Sequence, residues 1–324
     1  MSEPTYSFVI PIHDEEETLP ELYRRLAALL DTLDGESEVI LVDDGSRDDS
    51  YAVMIGLNHA DPRFKVVRLS RNFGHQLAIS AGVDFAAGDA VVLMDGDLQH
   101  PPEVVPEFIA KWREGYEVVY GVMRRRTEGW LKRTTARGYY AVLSRLSDVE
   151  LPAAAGDFRL LDRSAVEAFK AMRERNRYVR GMLSWVGFSQ IGVPYDAPPR
   201  YAGHSKYSFG RMLRLGTTGI TSFSDRPLRI ALRLGYVLAL LSIAFGISAL
   251  AAKLSGVAVP GWTSIAVVTS FVGAFQLILI GILGEYVARV YDEVKARPLY
   301  LVRALHGIDD ERRPAAIGET AKHA

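Results

Sequence analysis

The feature that most limits the folds open to this chain is a pair of charge-free segments, Leu234 to Ala252 and Leu254 to Gly284, separated only by Lys253. The first is about as long as a helix needs to cross a bilayer core. The second is long enough for a tilted crossing plus interfacial residues around Pro260-Gly261-Trp262. In a water-filled setting such a helical pair would need other helices to cover it, and nothing comparable is left in the sequence. The expectation is a two-helix transmembrane hairpin. Arg226, Arg229 and Arg233 precede it and Arg289, Lys295, Arg297 and Arg303 follow, so the positive-inside rule puts both termini in the cytoplasm.

The remaining sequence is long enough to bury a domain-sized core. Over 324 residues, 38 Lys and Arg nearly cancel 39 Asp and Glu, which argues against a nucleic-acid partner. There is no cysteine, so disulfides and thiol nucleophiles are excluded, in keeping with chemistry on the cytosolic side. No secretory signal is expected at the start, because the apolar Tyr6 to Ile12 run is short and leads directly into Asp14-Glu15-Glu16-Glu17.

Short runs rich in branched residues recur at Ser7 to Ile12, Val39 to Val42, Val66 to Leu69, Ala90 to Met94 and Val118 to Tyr120. Between them, Leu19, Leu22, Leu26, Leu29, Leu30 and Leu33 fall at helical spacing, and Leu77 to Ala87 and Val104 to Trp112 fill similar intervals. Alternation of this kind predicts an α/β fold with a mostly parallel sheet covered by helices on both faces. Ligands then gather beyond the carboxyl ends of the strands.

That rule collects polar groups into one cleft: Pro11 to Glu15, Asp43-Asp44-Gly45-Ser46, Ser70-Arg71-Asn72 and Asp95 to Gln99. There is no GxGxxG after the first strand and no GxxxxGK[ST] loop, so dinucleotide and P-loop readings are weak. In extended backbone Asp95 and Asp97 point to one face, where their oxygens suit Mg²⁺ or Mn²⁺, and Gln99 returns to that face as a further donor. The competing view is two solvated aspartates in a turn around Gly96. Asp43 or Asp44 can accept from a base or ribose. His100 before Pro101-Pro102 is explained about as well by helix entry as by a ligand role.

Asp157, in Gly156-Asp157-Phe158-Arg159, is either a loop cap or a group beside a phosphate acceptor, on a loop returning into a strand at the sheet edge. A phosphate is already largely ionised at pH 7, so Asp157 need only orient it or take a residual proton. Arg124-Arg125-Arg126, Arg133 and Arg137 precede Asp157. Arg211 and Arg214 suit an anionic lipid surface, whereas Arg200 through Lys206, with Ser205, mixes a turn residue with several donors as a phosphate-binding loop would.

Pro11-Ile12-His13-Asp14-Glu15-Glu16, Val42-Asp43-Asp44-Gly45-Ser46, Arg71-Asn72-Phe73-Gly74, Met94 through Pro102, Gly156-Asp157-Phe158-Arg159 and Arg200 through Lys206 occur in an order that resembles the polyisoprenyl-phosphate glycosyltransferases of glycosyltransferase family 2. These include undecaprenyl-phosphate glucosyltransferases and dolichol-phosphate mannose synthases. The resemblance runs through about Leu305. It implies a GT-A (Rossmann-like) catalytic domain, Mg²⁺ or Mn²⁺, and inverting transfer of one sugar from a nucleotide-sugar donor to a polyisoprenyl phosphate. UDP-glucose is the first expectation. GDP-mannose, galactose, N-acetylglucosamine or a modified sugar stay open, as does a non-catalytic membrane scaffold.

The same resemblance implies that Asp95, Asp97 and Gln99 serve the metal and that Pro11, Glu15, Asp43, Asp44 and Asp95 serve the nucleotide. Asp157 and Asp97 serve catalysis, and Arg124, Arg137, Arg200, Ser205 and Lys206 serve the acceptor and its phosphate. Asp14 departs from the family, which commonly has Asn there. The expected organisation is a catalytic domain over 1–205, an interfacial amphipathic linker over 206–228, the hairpin over 229–284, a juxtamembrane helix over 285–305 and a flexible tail over 306–324. The location would be a bacterial inner membrane, in contact with lipid, with room for a homo-oligomer.

Overall fold

In the computed structural model, residues 5–124, 155–198, 226–255, 261–309 and 312 are described. The chain opens with β1 (Tyr6–Ile12), α1 (Leu19–Leu30), β2 (Ser37–Asp43), α2 (Ser50–Ala60), β3 (Phe64–Leu69), α3 (His75–Phe85) and β4 (Ala90–Leu93). A 3₁₀ turn at Pro102–Val104 leads into α4 (Val105–Arg113), then β5 (Val118–Met123). After these come β6 (Ala155–Asp162), α5 (Arg163–Ala171), α6 (Val179–Trp185) and β7 (Gln190–Tyr195). Two long helices, α7 (Arg226–Leu254) and α8 (Trp262–Val294), precede β8 (Val302–His306).

Pro20 at the start of α1 costs no intrahelical bond and presets its φ, and the leucines at 19, 22, 26, 29 and 30 form its buried stripe. Strand residues alternate between two cores. Phe8, Ile10, Leu41 and Val92 face α1 and α4, while Val9, Ile40, Val42 and Val91 face α3 and α5. Burying one such ring or branched chain is worth about 1.5–3 kcal/mol. Burial on both faces is why these strands read as unbroken apolar runs.

The described sheet runs β7-β5-β6-β4-β1-β2-β3-β8. It is a mixed sheet: β4, β1, β2 and β3 are parallel, as are β5 and β7, but β6 is antiparallel to both β4 and β5, and β8 is antiparallel to β3. Two expectations change accordingly. The fifth strand of the sequence does not extend the parallel run, because β6 lies between β4 and β5. Asp157 is therefore in the sheet interior, not at its edge.

The two charge-free segments are helical, and α7 and α8 lie against each other, with Leu279 facing Gly235. Within α8, Val267–Val294 is long and apolar enough to cross a membrane, whereas the apolar part of α7, Ile230–Phe245, is shorter. One expected span thus meets the requirement and the second does not establish itself. The juxtamembrane helix expected over 285–305 is also revised. Helix α8 continues only to Val294; Ala296 at φ 45° and Pro298 end it, since a residue before proline avoids helical backbone. Residues 302–306 then form a strand, because Val302 to His306 can pair with the open side of β3. Of the expected flexible tail, His306 lies in β8 and Arg312 donates to Glu38 Oε2 at 3.0 Å. Residues 307–309 follow the strand, while residues 310, 311 and 313–324 and the amphipathic linker, apart from its last residues in α7, lie outside the described residues.

Candidate active site

At the end of β1, Asp14 holds φ 54°, a left-handed conformation that Asn and Asp tolerate best. Its Oδ1 accepts the Arg47 N–H at 2.8 Å, and its own N–H donates to Ser46 Oγ at 3.2 Å. An Asn side chain offers the same oxygen, so this departure from the family pattern keeps the local clamp. Glu15 Oε2 accepts the Thr18 hydroxyl at 3.0 Å while the Glu15 N–H donates to Ser50 Oγ at 2.8 Å. Pro11 pairs in register with Val42 inside the sheet.

At the end of β2 the adjacent aspartates divide. Asp43 is fully buried; its Oδ1 accepts the Ser46 N–H at 2.8 Å, and its Oδ2 lies 3.2 Å from Arg68 Nε without a hydrogen bond. Arg68 in turn covers the Tyr51 ring at 3.8 Å. Asp44 accepts the N–H groups of Phe73 and Gly74 at 2.7 and 2.9 Å, fixing the loop after β3. Burial raises its carboxyl, against those two bonds. Gly45, at φ 67°, permits this join: a Cβ there would stand 2.5 Å from Asn72 N.

The acidic run after β4 is not extended. A turn begins at Gly96, and Leu98 adopts φ 61°, so the alternation expected to bring Gln99 back to the face of Asp95 and Asp97 is interrupted. Asp97 Oδ1 accepts the Gln99 N–H at 3.1 Å. Asp95 Oδ1 lies 2.8 Å from His75 Nε2. His100 Nδ1 accepts the Asp95 N–H at 2.9 Å, so a neutral His100 carries its proton on Nε2, and its 3.6 Å approach to Asp95 Oδ2 is not a hydrogen bond.

The β4–β6 register pairs Leu93 with Arg159; carried two residues further it sets Asp157 opposite Asp95. Arg180 from α6 clamps Asp157 in a two-pronged pair, Nε to Oδ1 at 2.7 Å and Nη2 to Oδ2 at 2.9 Å. Burial opposes the charge on both carboxylates. Even so, His100, His75 and Arg180 hold Asp95 well below the usual carboxylate range, and Arg180 lowers Asp157. For His75, burial pulls down, but Asp95 and then Asp157 raise the imidazole to about 9. Burial lowers Arg159 to about 10 and, with these carboxylates, raises Tyr195 to about 12. Tyr195 meets the Phe158 ring edge-on, and His100 stacks on Phe158.

Asp95 and Asp157 are thus brought together. His75 and Arg180, which sequence reasoning missed, are their partners. A histidine opening the helix after a strand's carboxyl end was a usable signal for His75; Arg180 had none. Arg124 Nη1 lies 3.4 Å from the exposed Asp196, an ion pair worth at most about 1 kcal/mol. Arg137, Arg200, Ser205 and Lys206 lie outside the described residues.

Among the described residues no three His, Asp or Glu side chains converge as a complete metal cage. The donor set nevertheless suits Mg²⁺ or Mn²⁺, which commonly take one or two carboxylates and complete their shell with substrate phosphate and water. Asp97 and Asp95 would hold such an ion.

The glycosyl transferase family 2 model matches residues 7–169. The chain is 42% identical to YkcC, an uncharacterised glycosyltransferase of Bacillus subtilis, over 95% of this chain and 96% of that one. It is 39% identical to the SfII prophage-derived bactoprenol glucosyl transferase of Shigella flexneri, over 93% and 98%. Glucosyl-3-phosphoglycerate synthase from Mycobacterium tuberculosis is a more distant structural likeness, with 20% identity and a TM-score of 0.46 over 67% of this chain and 77% of that one. That likeness is too remote to argue from.

Proposed function

The chain belongs to glycosyl transferase family 2, and from that membership we propose that it transfers one glucosyl residue from UDP-glucose, with inversion, to a polyprenyl phosphate. The observation that carries the lipid acceptor is the extent of the likeness. The family model stops at residue 169, but the bactoprenol glucosyl transferase matches 93% of the chain, including the long apolar helices.

In this reading a phosphate oxygen of the lipid attacks the anomeric carbon as the bond from that carbon to the UDP oxygen breaks. Asp97 and Asp95 would hold Mg²⁺ or Mn²⁺, which would supply positive charge opposite the departing diphosphate. Pro11, Glu15, Asp43 and Asp44 are assigned to the nucleotide, with Asp44 also fixing the loop after β3. Asp157, ionised and clamped by Arg180, orients the acceptor side and is not needed as a strong base, because the phosphate is already largely dianionic at pH 7. Arg124, Arg137, Arg200, Ser205 and Lys206 are assigned to the acceptor phosphate.

The same reading makes α7 and α8 a hairpin in a bacterial inner membrane, with the catalytic domain and both termini cytoplasmic. Leu240 at 67% exposure and Leu277 at 71% are supporting observations, since such surface suits hydrocarbon. Association of copies through these helices belongs to this reading too.

The test is a donor-by-acceptor assay with full-length protein, undecaprenyl phosphate and Mg²⁺, Mn²⁺ or chelator, read by the mass of the lipid product. UDP-glucose is expected to give the hexosyl phospholipid, and Asp97→Asn to cut turnover at least about 10²-fold in a folded protein. Transfer from GDP-mannose alone, or near-normal metal-dependent turnover by Asp97→Asn, overturns the donor or the metal assignment respectively.

A further inference from the structure

Residues 172–180, between α5 and α6, are gripped at both ends. At one end, Glu293 Oε1 near the end of α8 accepts the Arg175 N–H at 2.8 Å, and the Arg175 guanidinium donates to the Arg297 carbonyl. Beside this contact the buried Tyr300 hydroxyl and Arg173 both donate to Asp84 Oδ2, at 2.7 and 2.8 Å. In the middle, buried Arg177 donates to the Met172 and Phe169 carbonyls, satisfying the end of α5.

At the other end, the Val179 N–H donates to Gln76 Oε1 at 2.8 Å, and the next residue is the Arg180 that clamps Asp157. Gln76 Nε2 lies 3.3 Å from Nδ1 of His75, the partner of Asp95. One short segment therefore touches the end of α8, carries the Arg180 that clamps Asp157, and reaches Asp95 through Gln76 and then His75.

We propose that this segment is a strap by which the end of α8 sets the position of Arg180, and that Glu293, with Arg175 as its partner, is a positioning residue for sugar transfer. The inference rests on the glycosyltransferase reading and deepens it: a helix suited to lipid, and the groups that would meet the lipid's phosphate, share one mechanical connection. Glu293 works here as a hydrogen-bond acceptor to a backbone N–H. Its charge is not required, and that separates a positioning role from a general electrostatic one.

The experiment uses full-length protein in lipid nanodiscs with UDP-glucose and undecaprenyl phosphate. Glu293→Ala is expected to lower kcat about tenfold with KM for UDP-glucose unchanged. Glu293→Gln, which keeps the accepting oxygen, should retain wild-type kcat. Combined with Arg180→Lys, Glu293→Ala should add less than its separate effect. Amide hydrogen exchange, which needs no turnover, should rise in Glu293→Ala at Arg175 and also at Val179 and Arg180. Exchange that rises at Arg175 alone, a Gln variant as impaired as Ala, or fully multiplicative effects would overturn the strap. Absence of transfer by wild-type protein would overturn the proposed donor and acceptor pair, and the exchange pattern would still decide the strap.

Discussion

The carboxylates at the ends of β1 and β2 and those on β6 and after β4 belong to neighbouring strands of one sheet but have different partners. Asp14 and Asp44 accept backbone N–H groups, and Glu15 accepts a neighbouring hydroxyl. Asp95 and Asp157 instead face the side-chain cations His75 and Arg180. Bonds from backbone donors fix loops, and removing the accepting carboxylate leaves those amides without it. Side-chain cations neutralise charge and can exchange partners when a metal ion or a phosphate arrives. The half next to β1 and β2 is mainly a scaffold, with the Asp43–Arg68 pair as the exception, and at Asp95 and Asp157 next to β4 and β6 side-chain cations balance the charge.

The strongest way to break this contrast is Arg180→Ala. Asp157 is 7% exposed, so loss of its cation strands a buried carboxylate. The expected cost is about 2 kcal/mol, below the range for fully buried pairs because Arg180 reaches solvent. It would be read as a lower unfolding midpoint in detergent. Asp157→Asn in the same background should recover part of the loss. No loss in Arg180→Ala would mean the pair does not balance charge in this way.

A smaller effect sharpens the electrostatic side. The His75 imidazole is raised to about 9 from an ordinary value of 6.5, so its stabilising pair with Asp95 is complete below about pH 6.5 and is lost as pH rises through about 9. With chelator present, wild-type protein should melt about 1–3 °C above His75→Asn at pH 6, the modest size reflecting solvent screening, and the gap should close by about pH 10. A pH-independent gap would assign His75 to packing.

The smallest expected effect tests the scaffold side. Asp14→Asn keeps both the oxygen that accepts the Arg47 N–H and a residue suited to positive φ, so stability should change by less than about 0.5 kcal/mol. Asp14→Ala, which loses both, should cost about 1–2 kcal/mol. Comparable unfolding curves for the two variants would show that the carboxylate does not clamp the loop.

Much of this architecture was legible because both faces of the central strands are buried, which makes apolar runs such as Phe8 to Ile12 and Ala90 to Met94 conspicuous. The gathering of polar groups at strand ends followed from topology alone. What escaped depended on pairing between residues distant in sequence. The insertion of β6 beside β4 brings Asp157 to Asp95, and no local pattern separates an interior antiparallel strand from an edge one. Arg180 is an ordinary arginine until α6 carries it to Asp157. The alternation carried from Asp95 to Gln99 fails because it was extended through a turn in which Leu98 has positive φ.

Strand β8 has a consequence for the order in which the protein is made. It follows α7 and α8 in the chain, yet it closes the β3 side of the sheet. During synthesis the ribosome therefore releases β1 to β7 first, with one sheet border bare, and supplies its cover only after both long apolar helices have emerged. A fragment ending before α7 would keep that border open to other chains. Maturation of the cleft is tied to completion of the helices that follow it, so a copy that stalls before those helices are finished stays incomplete.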